Sequence, residues 1–292
     1  MSEIRSGRRT VEISNPDKVL FPDPGYTKLD LAAYYAEVAP VMLPHVRDRP
    51  MNLHVFPQGV DKRGFFLQDV PDHFPDWIGR ITVPKRGGTV THAVAREPAT
   101  LPYMAGQNVI TPHLWSSRTD MLDRPDHIVM DLDPSDHSFD EVRAAAREAG
   151  HALRDKGLEP FAMVTGSRGI HVLAPLRRTA DYDRVRAFAR ALAEELVEAH
   201  PDRLTLEHRV EKRGDRLYLD VLRNAMVHTV AAPYAARPKP GAPVATPLHW
   251  DELSDPKLSP RRWSIKTLPD RLQDLGGDPW GDLRRHARAL PR

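Results

Sequence analysis

The chain contains no cysteine. This excludes disulfides, thiolate nucleophiles, iron–sulfur clusters and thiolate zinc sites, so any metal must be held by oxygen or imidazole. It also fits a cytoplasmic protein. Long hydrophobic runs are missing too, and no apolar stretch approaches the roughly 18 residues of a membrane span. The first residues, MSEIRSGRRT, carry arginines but no apolar core, so no secretory signal is expected. Neither sign of charge is in excess: 42 basic against 40 acidic residues leave +2. An overall basic footprint of a nucleic-acid binder is therefore lacking, and the distribution of charge matters more than its sum.

What is abundant is proline, 28 of 292 residues, about twice the usual share of roughly 5%. The prolines are spread along the chain as loop punctuation. They are densest from Pro233 to Pro247, which reads as an extended crossing segment. The length allows one large domain or two small ones, with ample core.

Residues 1–25 read as an irregular arm with a short strand at Val11–Ile13. Thr27 then caps a helix with apolar positions Leu29, Leu31, Ala32, Tyr35 and Val38, which Pro44 should end at the latest. Residues 50–125 read as short strands and loops. His127–Asp133 is a strong strand. Ser138 and Glu141 make a capping box opening a helix to about Lys156, stopped by Gly157. Strands are expected at Phe161–Thr165 and Ile170–Leu173, a helix from Asp181 to about His200, and strands at Leu217–Leu222 and Met226–Ala232. Trp250–Arg292 reads as a mainly helical tail. Strands and helices mix without strict alternation, which predicts an α+β fold with a largely antiparallel sheet.

Two segments carry candidate chemistry. Along the strand His127–Asp133, Ile128, Met130 and Leu132 share one face, and Asp131 and Asp133 the other. Their Cα atoms would lie about 6.6–6.8 Å apart, close enough to favour a shared cation. The alternative is a pair of solvated carboxylates at a strand end. Asp220 lies opposite the apolar alternation Leu217, Leu219 and Val221. It either pairs with Arg213, Arg216 or Arg223, or joins Asp131 and Asp133 as a third carboxylate for two metal ions. The second segment is Thr165-Gly166-Ser167-Arg168-Gly169-Ile170-His171, between two apolar strands. Its backbone N–H groups, hydroxyls and guanidinium could cradle an anion such as a triphosphate, or it could be a plain glycine turn. No G-K-[ST] follows, so it is not a Walker A loop.

In order, Asp-x-Asp, Thr-Gly-Ser-Arg-Gly-Ile-His and a strand Asp resemble the three motifs of the archaeo-eukaryotic primase superfamily. The chain resembles most the polymerase domain of bacterial ligase D, the non-homologous end-joining enzyme. Ile13–Pro22, Gly64-Phe65-Phe66, Val230–Arg237 and Pro-Leu-His-Trp-Asp-Glu-Leu carry that likeness further. The resemblance implies a primase-polymerase fold, a central antiparallel sheet flanked by helices. It implies one domain over 1–292, with a DNA-end-binding part (1–125), a catalytic core (126–250) and the tail (251–292). No ligase or nuclease module is seen, so a stand-alone or excised form is expected.

The resemblance also assigns roles. Asp131, Asp133 and Asp220 would hold two manganese or magnesium ions. His113, Thr165, Ser167, Arg168, His171, Arg213 and Arg237 would bind the nucleoside triphosphate. Asn15, Lys18 and Lys28 would take the 5′-phosphate of a downstream strand. In a strand one of Phe65 and Phe66 points outward, where it could stack on a template base. Where family members show glutamine before the asparagine matching Asn224, this chain has Arg223. The implied activity is nucleotide addition to primed or gapped DNA ends, with a preference for ribonucleotides. Ku and a separate ligase are implied partners, near the bacterial nucleoid. A metal-dependent phosphodiesterase and a catalytically idle end-bridging module are the competing readings.

Overall fold

The computed structural model describes residues 1–134 and 138–291. Helix starts follow local chemistry. The Thr27 hydroxyl accepts from the Asp30 N–H while the Asp30 carboxylate accepts from the Thr27 N–H, so the box opens the helix Lys28–Val46. That helix runs past Pro44, contrary to expectation, with Pro40 and Pro44 both inside. An internal proline costs about 3 kcal/mol. Val38, Met42, Leu43 and Val46 are all buried, and each such side chain returns about 1.5–3 kcal/mol. Tertiary burial therefore carries the helix two residues beyond its expected end.

The chain forms two compact units, each built from separate chain segments. The first comprises Met1–Asp120, Thr229–Ala245 and Trp263–Asp278. Its main sheet is antiparallel, in the order Thr229–Ala231, Val109–Trp115, Pro50–Val55, Gly88–Val94, Gly79–Lys85. Phe65–Leu67 adds to the end of Pro50–Val55. The expected irregular arm is more ordered than its sequence suggests. Ser2–Ser6 and Arg9–Ile13 form a hairpin, and Val19–Phe21 pairs with Tyr26–Thr27. A helix at Thr100–Gly106, unforeseen because it is one short turn-pair around Pro102, packs on the Lys28–Val46 helix.

The second unit comprises Met121–His228, Thr246–Arg262 and the chain from Pro279 onward. Its sheet runs Leu204–Thr205, Leu217–Asp220, His127–Asp133, Ile170–Pro175, Phe161–Val164, Thr246–Leu248. Every pairing is antiparallel except the first. The helices Phe139–Asp155 and Tyr182–Ala199 pack against it through small and aliphatic side chains such as Ala146, Ala149, Val185 and Leu192. The Ser138–Glu141 box opens the first as expected, and the Asp181 carboxylate caps the second by accepting the Arg184 N–H.

The α+β reading with largely antiparallel pairing holds, and the strands divide between two six-stranded sheets and two two-stranded ones. The mainly helical tail does not hold. From Trp250 to residue 291 there are only two 3₁₀ turns, Trp250–Ser254 and Leu283–His286, and the helix Leu268–Asp274. Pro256, Pro260, Pro269 and Pro279, with Gly276, Gly277 and Gly281, interrupt the backbone ladder too often. Residue 292 of the expected tail lies outside the described residues. Among the described residues no helix is long and apolar enough to cross a membrane.

Candidate active site

Register brings the carboxylates together in the second unit. Asp131 sits directly opposite Asp220 on one side and His171 on the other. Directly opposed residues share a face, so Asp220, Asp131 and His171 form a row, with Asp133 two residues along. Asp220 closes its strand rather than lying mid-strand, and its Oδ1 accepts the Leu222 N–H at 2.8 Å.

Two guanidinium groups and an imidazole crowd this row. Arg223 Nε lies 3.3 Å from Asp220 Oδ2 and 3.5 Å from Asp131 Oδ2. His171 Nε2 lies 3.4 Å from Asp131 Oδ1, and Arg168 Nη2 3.2 Å from Asp133 Oδ1. Burial pushes the Asp131 carboxyl up, but His171 and Arg223 beside it outweigh that and bring it below its ordinary value. Burial dominates at Asp133 and holds its carboxyl above the usual range, despite Arg168 and with help from Asp131 and Asp220. The two carboxyls thus diverge in proton affinity because Asp131 has more positive charge beside it and Asp133 is dominated by burial.

The ion-pair alternative for Asp220 is thus realised through Arg223, with Asp131 directly opposite Asp220 and Asp133 two residues further along the same strand. Among the described residues no three His, Asp or Glu side chains form a ready metal cage. Yet Asp131 and Asp220 already converge on one positive group. An all-oxygen donor set that gathers a shared cation fits a hard divalent ion in kind.

The Thr165–His171 turn differs in detail from the expected cradle. The Thr165 hydroxyl accepts from the N–H groups of Ser167 and Gly169 at 3.3 and 3.2 Å. Two donors expected to face an anion therefore bind within the turn, and buried Thr165 is its brace rather than an open ligand. Gly169 presses against the aspartate strand, where a Cβ would come 2.0 Å from the Leu132 carbonyl oxygen. Arg168 remains exposed, and Arg261 Nε holds the Ser167 carbonyl at 2.9 Å. Arg213 is buried over the Tyr218 ring at 4.1 Å, donating to the carbonyls of Glu207 and His208.

Asn224 is the positioning residue least visible in sequence. Fully buried, it accepts the Val129 N–H at 2.8 Å and donates to Val129 O at 2.6 Å and Val221 O at 3.0 Å. Its carboxamide acts as a missing strand partner two residues before Asp131. The sequence marks Asn224 only as the position matching a family asparagine, without this role.

The other expected site residues stand in the first unit. His113 lies within the strand Val109–Trp115, opposite Ala231, and Arg237 follows the bridge residue Ala236 and lies near His54. Backbone hydrogen bonds bring the Asn15–Lys18 turn against Lys28, the first residue of its helix. Lys18 N–H donates to Asn15 O and Lys28 N–H to Lys18 O. Asn15 adopts φ +48°, which asparagine tolerates better than most residues. Lys28 is buried, and its Nζ donates to the Ser14 carbonyl at 2.9 Å. Burial, with Lys18 nearby, pushes its ammonium below the ordinary value. Phe65 and Phe66 are 50% and 52% exposed, so neither is a core residue.

The chain is similar to known proteins over most of its length. The family model for the LigD primase-polymerase domain matches residues 27–280. The multifunctional non-homologous end joining protein LigD of Mycolicibacterium smegmatis is 31% identical over 91% of this chain and 35% of its own length. The Pseudomonas aeruginosa protein is 30% identical over 95% of this chain and 33% of its own. The bifunctional Bacillus subtilis LigD is 30% identical over 96% and 45%. This chain thus spans about a third of the first two relatives and under half of the third. The polymerase domain of Mycobacterium tuberculosis ligase D, solved with DNA, superposes with a TM-score of 0.88 at 31% identity, covering 95% of this chain and 99% of that one. The chain belongs to the LigD primase-polymerase domain family, and so to the DNA-directed nucleotidyltransferases.

Proposed function

We propose that this chain extends and fills primed or gapped DNA ends during non-homologous end joining, acting over its whole length as one polymerase domain. The observation that carries the reading is the row of Asp220, Asp131 and His171, with Asp133 beside it and Arg168 next to Asp133. In the reaction the primer 3′-hydroxyl attacks the α-phosphorus of a nucleoside triphosphate, the new ester forms and pyrophosphate leaves. Divalent ions, manganese before magnesium, would be held by Asp131, Asp133 and Asp220, and would supply charge neutralisation for that displacement. Exposed Arg168, the Ser167 hydroxyl and His171 would bind triphosphate oxygens. Thr165 would keep the turn in shape. His113, Arg213 and Arg237 complete the nucleotide-binding set that family membership implies.

DNA contact in this reading belongs to the first unit. Asn15, Lys18 and Lys28 would take a 5′-phosphate, because two adjacent ammonium groups favour an end monoester over an internal diester. The exposed rings of Phe65 and Phe66 would stack on unpaired bases. Ribonucleotides are the preferred substrate, and Ku and a separate ligase the partners, on the strength of family membership.

Primer extension on gapped DNA with labelled nucleotides tests the reading. Replacing Asp131 and Asp133 together by alanine should abolish addition and leave DNA binding largely intact, since binding rests on basic residues. Parental extension by that variant would overturn the assignment. Hydrolysis of the DNA in place of extension would identify a phosphodiesterase, and neither activity in the parent an idle bridging module. Competition between ribo- and deoxyribonucleotides, with each metal, tests the finer claims.

A further inference from the structure

We infer that His54 is a positioning residue, holding Phe66 as a rigid platform for an unpaired nucleobase; this rests on the base-stacking reading of Phe66 proposed above. Phe65–Leu67 is a three-residue strand with a single partner, Pro50–Val55. A ring on so short an edge strand would ordinarily sample several rotamers. Register places Phe66 directly opposite His54. Their rings lie 4.2 Å apart and 10° from parallel.

His54 is itself held on its other sides. Its ring packs against Phe56 at 4.4 Å and meets His113 edge-on at 6.1 Å, while His113 also meets Phe66 edge-on at 5.1 Å. Phe66 is thus fixed by a stacked ring and an edge-on ring, and half of its surface still faces solvent. Gly64 permits the approach, because a Cβ there would strike the Phe56 ring at 2.7 Å.

Two further observations fit a nucleobase. Burial, together with the nearby Arg237 charge, lowers the His54 imidazole to about 4, so it stacks as a neutral ring at ordinary pH. Asn52 lies on the same face, two residues along from His54 and opposite His113. It is buried, and its Oδ1 has no hydrogen-bond partner among the described residues. Buried acceptors are normally satisfied, so a face carrying one beside exposed aromatic surface suits a ligand with both a π face and N–H donors. An immobilised platform loses less side-chain entropy on binding than a free one.

The test uses 2-aminopurine at the unpaired position opposite a gap, with its quenching read on binding to parent, Phe66→Ala, His54→Ala, His54→Phe and Phe66→Ala/His54→Ala proteins. Thermal unfolding of each variant serves as the folding control. We expect Phe66→Ala to abolish the quenching and weaken gap binding about tenfold, the scale of one lost base–aromatic stack. His54→Ala should reproduce most of that loss, His54→Phe should restore it, and the double variant should lose no more than Phe66→Ala alone. Should Phe66→Ala leave quenching intact, the base-stacking reading itself fails. If Phe66→Ala loses the quenching and His54→Ala retains it, that reading stands and the positioning role of His54 is refuted. Loss in His54→Phe as complete as in His54→Ala would also refute it, because a flat ring would then not suffice.

Discussion

Asn224 carries a load out of proportion to its one side chain, and its replacement by alanine is a severe perturbation. The carboxamide satisfies both backbone groups of Val129 and the carbonyl of Val221. Val129 and Asn224 are each buried, so water cannot replace the lost partners without opening the sheet. Leaving a buried donor or acceptor unpaired costs about 1–3 kcal/mol each. The two groups of Val129 together then cost about 2–6 kcal/mol, and a central figure near 4 kcal/mol sits at the severe end for point mutants. The assay is native-state hydrogen exchange on parent and Asn224→Ala protein. At about 1.4 kcal/mol per decade, the Val129 amide should exchange roughly a hundred- to thousandfold faster. Amides of the first unit, such as those of the Pro50–Val55 strand, should hold their rates. Unchanged protection at Val129, or a loss of denaturation free energy under about 1 kcal/mol, would refute the view that this carboxamide substitutes for a strand. Nucleotide addition should fall with protection, because Val129 lies two residues from Asp131.

Three other outcomes follow from named contacts. His54 is held neutral when folded, at about 4, against 6.5 when unfolded. Below 6.5 the unfolded chain therefore takes up a proton that the folded chain refuses, and stability falls as pH drops from 6.5 towards 4. Arg237 and His113 face the same ring, and screening at this half-buried site limits the loss to about 1–2 kcal/mol. Denaturation of parent and His54→Phe protein at pH 7 and pH 5 should show that slope diminished in the variant, and equal slopes would contradict the assignment. Arg223→Gln removes the cation shared by Asp131 and Asp220. Manganese titration by calorimetry should then show binding tightened about threefold or more, a change of the size one exposed ion pair is worth, whereas weaker binding would contradict a competing role for Arg223. Lys18→Ala/Lys28→Ala should weaken binding to gapped DNA with a 5′-phosphate about tenfold or more, at roughly 1.5–3 kcal/mol per charge-assisted contact. Binding to the same gap with a 5′-hydroxyl should barely change, and equal losses on both would reduce these lysines to a general basic surface.

The sequence by itself determined the local devices, because their physics is local. The Thr27 cap, the Ser138 box, the helix start at Asp181 and the two-residue alternation of His127–Asp133 are settled by neighbours within four positions. So was the shared face of Asp131 and Asp133, which needs only a strand. Motif order sufficed to identify the family.

Only the tertiary structure decided which strands are neighbours. The pairing of Asp131 with Asp220 joins residues 89 positions apart, and nothing local marks that register. The Thr165 hydroxyl closes on the turn's own N–H groups, and the close approach of Gly169 to Leu132 is a contact that sequence alone does not show. Burial overrode Pro44 in the first helix, and repeated prolines and glycines dissolved the expected helical tail. His54 was invisible for the same reason: a histidine beside a valine gains its meaning only when register sets it beneath Phe66.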